Sequence, residues 1–211
     1  DFITESIDQT RGWFYTLHVL GTLLFDSLAY KSVVVGGLLV DEKGEKMSKS
    51  KGNIIEPNAF FDKVGVDAVR LYLCSYSPDS SKRIGFELVT GAISPFLTVL
   101  WNSCYFASEV VGKKAAVKDA PLKVEDKWII SRANSSVISA TNALDSHEYH
   151  VAVQELKSFV MDDFSRWYIR LIRDRVSEVD DALQYTMKYV ISRVVRLMAP
   201  MAPYISEEIY Q

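Results

Sequence analysis

Apolar and polar positions follow two rhythms along this chain, and the change between them comes near residue 87. The first part alternates strand-like and helix-like stretches. Residues 2 to 7 read as a short strand, with Asp8 as an N-cap for a helix over Gln9 to Phe25. Trp13, Phe14, Leu17, Leu20, Leu24 and Phe25 form that helix's apolar stripe, and His18 beside it reads as structural. Val33 to Val40 is an apolar run with the look of one or two buried strand segments. Strand, helix, strand is the order of a parallel sheet. Asp41 to Glu45 reads as a tight turn, with Gly44 free to take a positive φ. A polar loop follows. Pro57 suits the first position of a short helix to Val64, ended by Gly65. Asp67 is placed to cap a helix over Ala68 to Ser75 and to pair with Arg70 at i, i+3. Residues 77 to 82 form a loop, and Ile84, Gly85 and Phe86 are too short a stretch to type.

Beyond residue 87 the spacing is helical throughout. Helices are expected from Glu87 to about Val111, with Pro95 as a kink or boundary. Others run from Glu125 to Leu144, from His147 to Ile172 and from Ala182 to Met198, and a last one begins near Tyr204. Gly112 to Val124 is the longest linker-like piece. The helix from His147 carries Val153, Leu156, Val160, Phe164, Trp167 and Leu171 at steps of three and four. In the helix from Ala182, Tyr189, Val190, Val194 and Leu197 point inward. The expected architecture is α/β followed by all-α: the second half of a Rossmann-like parallel sheet over residues 1–86, connecting region included, and then a helical bundle over 87–211. The chain opens as though in the tail of a strand and stops as though within a helix. That leads to the expectation of an excised piece, with one sheet edge open and the first 86 residues less stable than the bundle.

Composition narrows the class. At 211 residues and 48% hydrophobic, this is a globular chain with room for one sizeable core or two modest ones. The formal net charge of −3 leaves a nucleic-acid partner open, because local patches decide that. Cys74 and Cys104 both sit in apolar periodic surroundings, as small buried thiols of a cytoplasmic protein would. No signal-peptide pattern and no membrane-length apolar run is read. His147 and His150 have no cysteine at metal-ligand spacing, so no metal site is assigned.

Three clusters carry chemistry. Lys46-Met47-Ser48-Lys49-Ser50-Lys51-Gly52-Asn53 lies between a strand and a helix. From Lys43 to Lys51 four lysines face one glutamate, Glu45, for a net +3 over nine residues. Lysines on such a loop suit phosphate oxygens as point charges, although many lysine runs are only solvated turns. Glu5, Asp8, Gln9 and Trp13 gather at the exit of the first strand, where open α/β sheets bind ligands. The two carboxylates could hold an ammonium group or ribose hydroxyls, or could simply cap a helix and bridge to Arg11. Arg166, Arg170 and Arg173 share a helix face, with Arg175 close by. They form either a phosphate-binding stripe or a surface neutralised by Asp162, Asp163, Glu178, Asp180 and Asp181. A P-loop is excluded, since no GxxxxGK[ST] stretch occurs.

Taken together, these motifs resemble a class I aminoacyl-tRNA synthetase. Lys46 to Ser50 matches that class's signature residue for residue. Its extension through Asn53 is typical of the subgroup for isoleucine, valine, leucine and methionine. Asp8-Gln9-Thr10-Arg11-Gly12-Trp13-Phe14-Tyr15 looks like the isoleucyl branch, most like its archaeal and eukaryotic members. Gly65 to Arg70, Trp101-Asn102 and Phe164-Ser165-Arg166-Trp167-Tyr168 are similar to later segments of these enzymes, the last two to the anticodon-binding helices.

The resemblance implies a set of roles. Lys46 and Lys49 would stabilise the β- and γ-phosphates of ATP as pyrophosphate leaves, with Mg2+ accompanying the nucleotide in the full-length enzyme. Met47, Ser48 and Ser50 would shape the loop around the adenylate. Glu5, Asp8 and Gln9 would hold the ribose and the amino group, Trp13 would line the side-chain pocket, and Arg11 would brace that corner. The implied partners are tRNA(Ile), L-isoleucine and ATP, in a cytoplasmic, monomeric full-length enzyme. Position 6 is Ser where the family often has Gly. The family's histidine-glycine ATP signature and its editing domain do not occur in these residues, so the chain by itself is expected to be inactive. Isoleucine-type pockets discriminate only about 150-fold against valine, which is the reason for editing. A valyl enzyme and a non-enzymatic tRNA-binding module are the alternatives.

Overall fold

The computed structural model describes residues 2–111, 120–176 and 180–211. Most of the linker read at 112 to 124, and Glu178, lie outside the described residues. Strand β1 (Phe2–Ser6) pairs in parallel with β2 (Ser32–Gly36), in register from Phe2 opposite Ser32 to Ser6 opposite Gly36. The apolar run does not continue as one strand. It breaks at Gly37 and Leu38, and β3 (Leu39–Val40) pairs in parallel with β4 (Lys82–Arg83) in a second two-stranded sheet. Close backbone approach forces the break. The Gly37 amide donates to the Pro78 carbonyl at 2.8 Å, and a β-carbon on Gly37 would collide with the Ser80 carbonyl oxygen. The loop over residues 77 to 81 is fastened from inside by Lys82. Its buried ammonium donates to the carbonyls of Pro78 (2.9 Å) and Ser80 (3.0 Å), and burial holds its pKa below the usual lysine range.

The single helix expected from Gln9 to Phe25 is two elements. A 3-10 turn covers Ile7–Arg11, and helix α1 covers Trp13–Phe25. Asp8 lies inside the turn and caps nothing. The Gln9 side chain provides the cap instead, its Oε1 accepting from the Trp13 amide at 3.0 Å. Gly12 makes room for it, because a β-carbon there would lie 2.9 Å from that oxygen. The inward stripe read for α1 is also corrected. Phe14 is its only buried residue, while Leu20, Leu23, Leu24 and Phe25 are exposed. A two-stranded sheet is too narrow to cover such a helix. The strands of the 33–40 run, β2 and β3, are likewise half-buried or exposed, not buried as read.

Helices α2 (Pro57–Val64) and α3 (Val66–Cys74) lead into α4 (Phe86–Val111), which carries Pro95 within its length. Then come α5 (Val124–Asp145) and α6 (Tyr149–Ser158), a π-helical stretch over Phe159–Tyr168, and α7 (Ile169–Leu171). A 3-10 turn (Arg173–Arg175), α8 (Asp181–Met198) and α9 (Pro203–Tyr210) complete the described elements. One continuous core runs from Phe60, Leu71 and Tyr72 through Ile93, Leu100, Ile129 and Phe164 to Met187 and Met198, so α2 and α3 are packed together with the bundle.

The π stretch decides one face. Val153, Leu156, Val160 and Phe164 are buried as the spacing requires, but Trp167 is 56% and Leu171 50% exposed. Tyr168 and Ile172 are buried in their place. A π-helix bonds i to i+5 and so inserts an extra residue per turn, which moves the inward register on by one. In α8, Val190 and Val194 are buried as expected, whereas Tyr189 and Leu197 are only half-buried. Cys104 is buried and Cys74 half-buried, both as free thiols. Desolvation pushes the Cys104 thiol up to about 12.

Candidate functional site

The lysine loop is a small scaffold built on two residues, Asp41 and Asn53. Asp41 follows β3 and folds the turn. Its Oδ1 accepts from the amides of Lys43 (3.0 Å) and Glu45 (2.7 Å), an arrangement that aspartate favours in turns. Gly44 then takes φ +85°, and Lys46 returns to bridge Val40 antiparallel. Asn53 closes the far end. It donates from Nδ2 to Asp41 Oδ2 at 2.8 Å and accepts at Oδ1 from the Ser48 amide at 2.9 Å. The bond from Asn53, with those from the turn amides, holds the Asp41 carboxyl below the usual range.

Between these anchors the chain makes a 3-10 turn over Lys49–Lys51. Ser48 Oγ accepts from the Lys51 amide at 3.3 Å, and Gly52 exits at φ +67°. The Ser48 and Ser50 hydroxyls lie 3.2 Å apart. Met47 points the other way and packs against the main core, which pins the loop's middle.

This scaffold sorts the lysines. Lys51 is paired with Glu45 at 3.0 Å. Lys46 and Lys49 are exposed, and among the described residues neither makes an ion pair. Three cations are therefore held out to solvent: Lys43, also exposed and without an ion pair among the described residues, on the turn, and Lys46 and Lys49 on a loop whose own hydrogen bonds are satisfied. A cleft of about 680 Å³ lies behind it, lined by Asp41, Lys51, Asn53, Phe60 and Gly85, and neither Lys46 nor Lys49 faces into it.

The second cluster sits at the carboxyl end of the β1–β2 pair. Glu5 (opposite Val35) and Asp8 are exposed there, Gln9 is committed to the start of α1, and Trp13 is 52% exposed. Arg11 makes no ion pair with Glu5 or Asp8. Among the described residues no hydrogen bond or ion pair links this cluster to the lysine loop. The arginine stripe is mixed. Arg166 pairs with Asp162 at 2.7 Å on the surface, and Arg170 and Arg173 are exposed. Arg175 is different, being the centre of a buried network. It binds Asp126 through two nitrogens (3.0 and 2.9 Å), Asp180 through two (2.9 and 2.6 Å) and Glu125 at 2.7 Å.

Asp67 and Arg70 also depart from expectation. Asp67 neither caps α3 nor pairs with Arg70. It accepts from the amides of Ile205 (2.7 Å) and Tyr204 (3.4 Å) at the start of α9, while Arg70 donates to the carbonyls of Pro200 (2.7 Å) and Met201 (3.0 Å). Asp41 has a local signal, an aspartate three residues before a glycine between apolar and basic runs. The Asp67 and Arg70 contacts have none, because their partners lie some 130 residues away.

Comparison with known proteins places this geometry. A family profile described as tRNA synthetases class I (I, L, M and V) matches residues 1–85, the span that holds the lysine loop. A second, described as the anticodon-binding domain of tRNA ligase, matches residues 126–211. The chain belongs to the class I aminoacyl-tRNA synthetases. Over its whole length this synthetase chain is 41% identical to an isoleucine--tRNA ligase of Archaeoglobus fulgidus, and 36% identical to that of Thermus thermophilus. It spans 21% of the length of each. Two solved synthetases share its fold at 20% identity and a TM-score of 0.78, each over the whole of this chain. One is the LeuRS of an Agrobacterium radiobacter K84 ternary complex with tRNA and LeuAMS, of which 26% is covered. The other is Mycobacterium tuberculosis methionyl-tRNA synthetase in complex with methionyl-adenylate, of which 43% is covered. Among the described residues no helix is long and apolar enough to cross a membrane.

Proposed function

We propose that these residues belong to a ligase that activates L-isoleucine with ATP and transfers it to tRNA(Ile), with residues 1–86 contributing to the nucleotide site and 87–211 to the tRNA-binding bundle. The observation that carries this is the pair Lys46 and Lys49, exposed without ion pairs on an internally hydrogen-bonded loop in a chain closely similar to isoleucine--tRNA ligases along its full length.

In the reaction the amino-acid carboxylate attacks the α-phosphorus, and pyrophosphate departs with growing charge on its oxygens. Two ammonium groups fixed beside those oxygens stabilise that charge more than they stabilise the ground state. Ser48 and Ser50 hold the loop's curve, and Met47 supports it from the core. Glu5 and Asp8, exposed at the strand exit, supply acceptors for the ammonium group and ribose hydroxyls. Gln9 serves there through its hold on α1, with Trp13 against the side chain. Arg166, Arg170 and Arg173 offer cations to the tRNA backbone. Mg2+ would travel with the nucleotide's own phosphates. The donors around the loop do not suit a protein-held cation, since Glu45 is paired and Asp41 already accepts three hydrogen bonds. A cytoplasmic, monomeric enzyme goes with this reading.

The test is isoleucine-dependent ATP–pyrophosphate exchange by the full-length ligase, compared with valine. Isoleucine-dependent exchange that disappears in the K46A/K49A double variant is the expected result. Exchange that depends on another amino acid, or that survives loss of both lysines, would overturn it.

A further inference from the structure

The contacts of Asp67 and Arg70 join two parts of the chain that the proposed reaction uses at different steps. The lysine loop ends at Asn53. After three intervening residues α2 begins at Pro57, and α3 follows α2 after Gly65 alone. The loop is thus continuous with α3 through a short, largely helical path, pinned by Met47 and by the Glu56 cap on the Ala59 amide at 2.7 Å. At its far side α3 holds the corner between α8 and α9. Arg70 takes two carbonyls that follow the C-terminus of α8, and Asp67 takes two amides at the N-terminus of α9. Each charge faces the helix end that its sign favours. Met201, whose carbonyl Arg70 holds, and Ala202, between the two grips, are buried in the main core. The corner therefore cannot slide along α3 without losing four hydrogen bonds together.

We propose that Asp67 and Arg70 are positioning residues for the tRNA-dependent step. By fixing the α8–α9 corner to α3 they set the bearing of the bundle on the lysine loop. This rests on the ligase reading above. Arg70 is exposed, so removing it opens no hole in the core and the variant keeps its fold. Amino-acid activation needs only the loop and the sheet, so it does not pass through the clamp. Aminoacylation needs tRNA held by the bundle and delivered to the loop, so it does.

The experiment uses the full-length ligase with R70A, R70K and D67A. Pyrophosphate exchange is measured without tRNA, and aminoacylation over a range of tRNA concentrations. Exchange is expected to stay within about twofold of wild type. The aminoacylation kcat/KM for tRNA is expected to fall by about tenfold or more, within the ordinary range of site–site coupling. R70K, which keeps one donor to a carbonyl, should recover part of the loss. A parallel fall in both activities would mark a general structural role and overturn the proposal, as would unchanged aminoacylation. If wild type shows no isoleucine-dependent exchange, the ligase reading fails, and hydrogen exchange then judges the clamp alone. Faster exchange in R70A both at residues 203–210 and along α3 at 66–74, with the loop at 46–53 unchanged, supports the clamp. Faster exchange confined to 203–210 refutes it.

Discussion

Replacing Arg175 with methionine should unfold this chain far more easily than any surface change. The guanidinium is 10% exposed, and beside it the Asp126 carboxylate is fully buried. Arg175 supplies two of the hydrogen bonds that Asp126 accepts; among the described residues the Tyr168 hydroxyl (2.7 Å) and the Lys123 amide (3.1 Å) remain without it. Methionine fills much of the volume but leaves a buried charge without its counter-ion. Breaking such a pair from one side costs about 3–5 kcal/mol. For a chain of this size that is a fall in Tm of about 6–20 °C.

The cost should also depend on pH. Burial raises the Asp180 pKa, but its bonds to Arg175 and to the Leu183 amide outweigh that and hold it below the usual aspartate value. A depressed carboxyl stabilises the fold above the unfolded pKa of about 3.9 and loses that contribution as pH falls through the folded value. The gap between wild type and R175M should therefore be full at pH 7 and narrow below about pH 4. Urea denaturation followed by circular dichroism, repeated from pH 7 to pH 3, measures both. A cost under about 1 kcal/mol at pH 7 would refute the reasoning, because exposed ion pairs are worth that little. A gap that stays constant to pH 3 would refute the role given to Asp180.

Two further outcomes follow from the loop and the sheet. On the ligase reading proposed above, K46A and K49A in the full-length protein should each slow pyrophosphate exchange by about 10²–10³, while K51A, whose charge is already spent on Glu45, should change it less than about threefold; equal losses at all three positions would show that the loop's total charge, not its geometry, matters. G37A should destabilise the chain by about 1–3 kcal/mol, because the new methyl group meets the Ser80 backbone; a wild-type midpoint in urea would mean that the 77–81 loop yields freely.

Much of the candidate site was legible because it is local. Lys46 to Asn53 carries its own turn chemistry, and the structure adds which lysines are left unpaired. The helices beyond residue 87 were legible for the same kind of reason, since their stripes repeat over many turns. Where the reading failed, the deciding atoms lay elsewhere in the chain. Asp67 and Arg70 sit three apart on one helix, so sequence pairs them with each other, yet unsatisfied amides and carbonyls at a distant helix corner were stronger partners. Arg175 looked like one more surface cation until Asp126 and Asp180 enclosed it. Trp167 and Leu171 kept the right spacing for an α-helix and lost their place when the π stretch shifted the register by one residue. The α1 stripe stayed exposed because hydrophobic spacing specifies a face, and only a neighbouring layer can bury it. Sequence by itself determined the long helices beyond residue 87, the lysine loop and the family. Tertiary structure alone decided which charges are partners, which faces are buried and how the loop is tied to the bundle, because a buried polar group takes the nearest satisfying partner in space, whatever its distance along the chain.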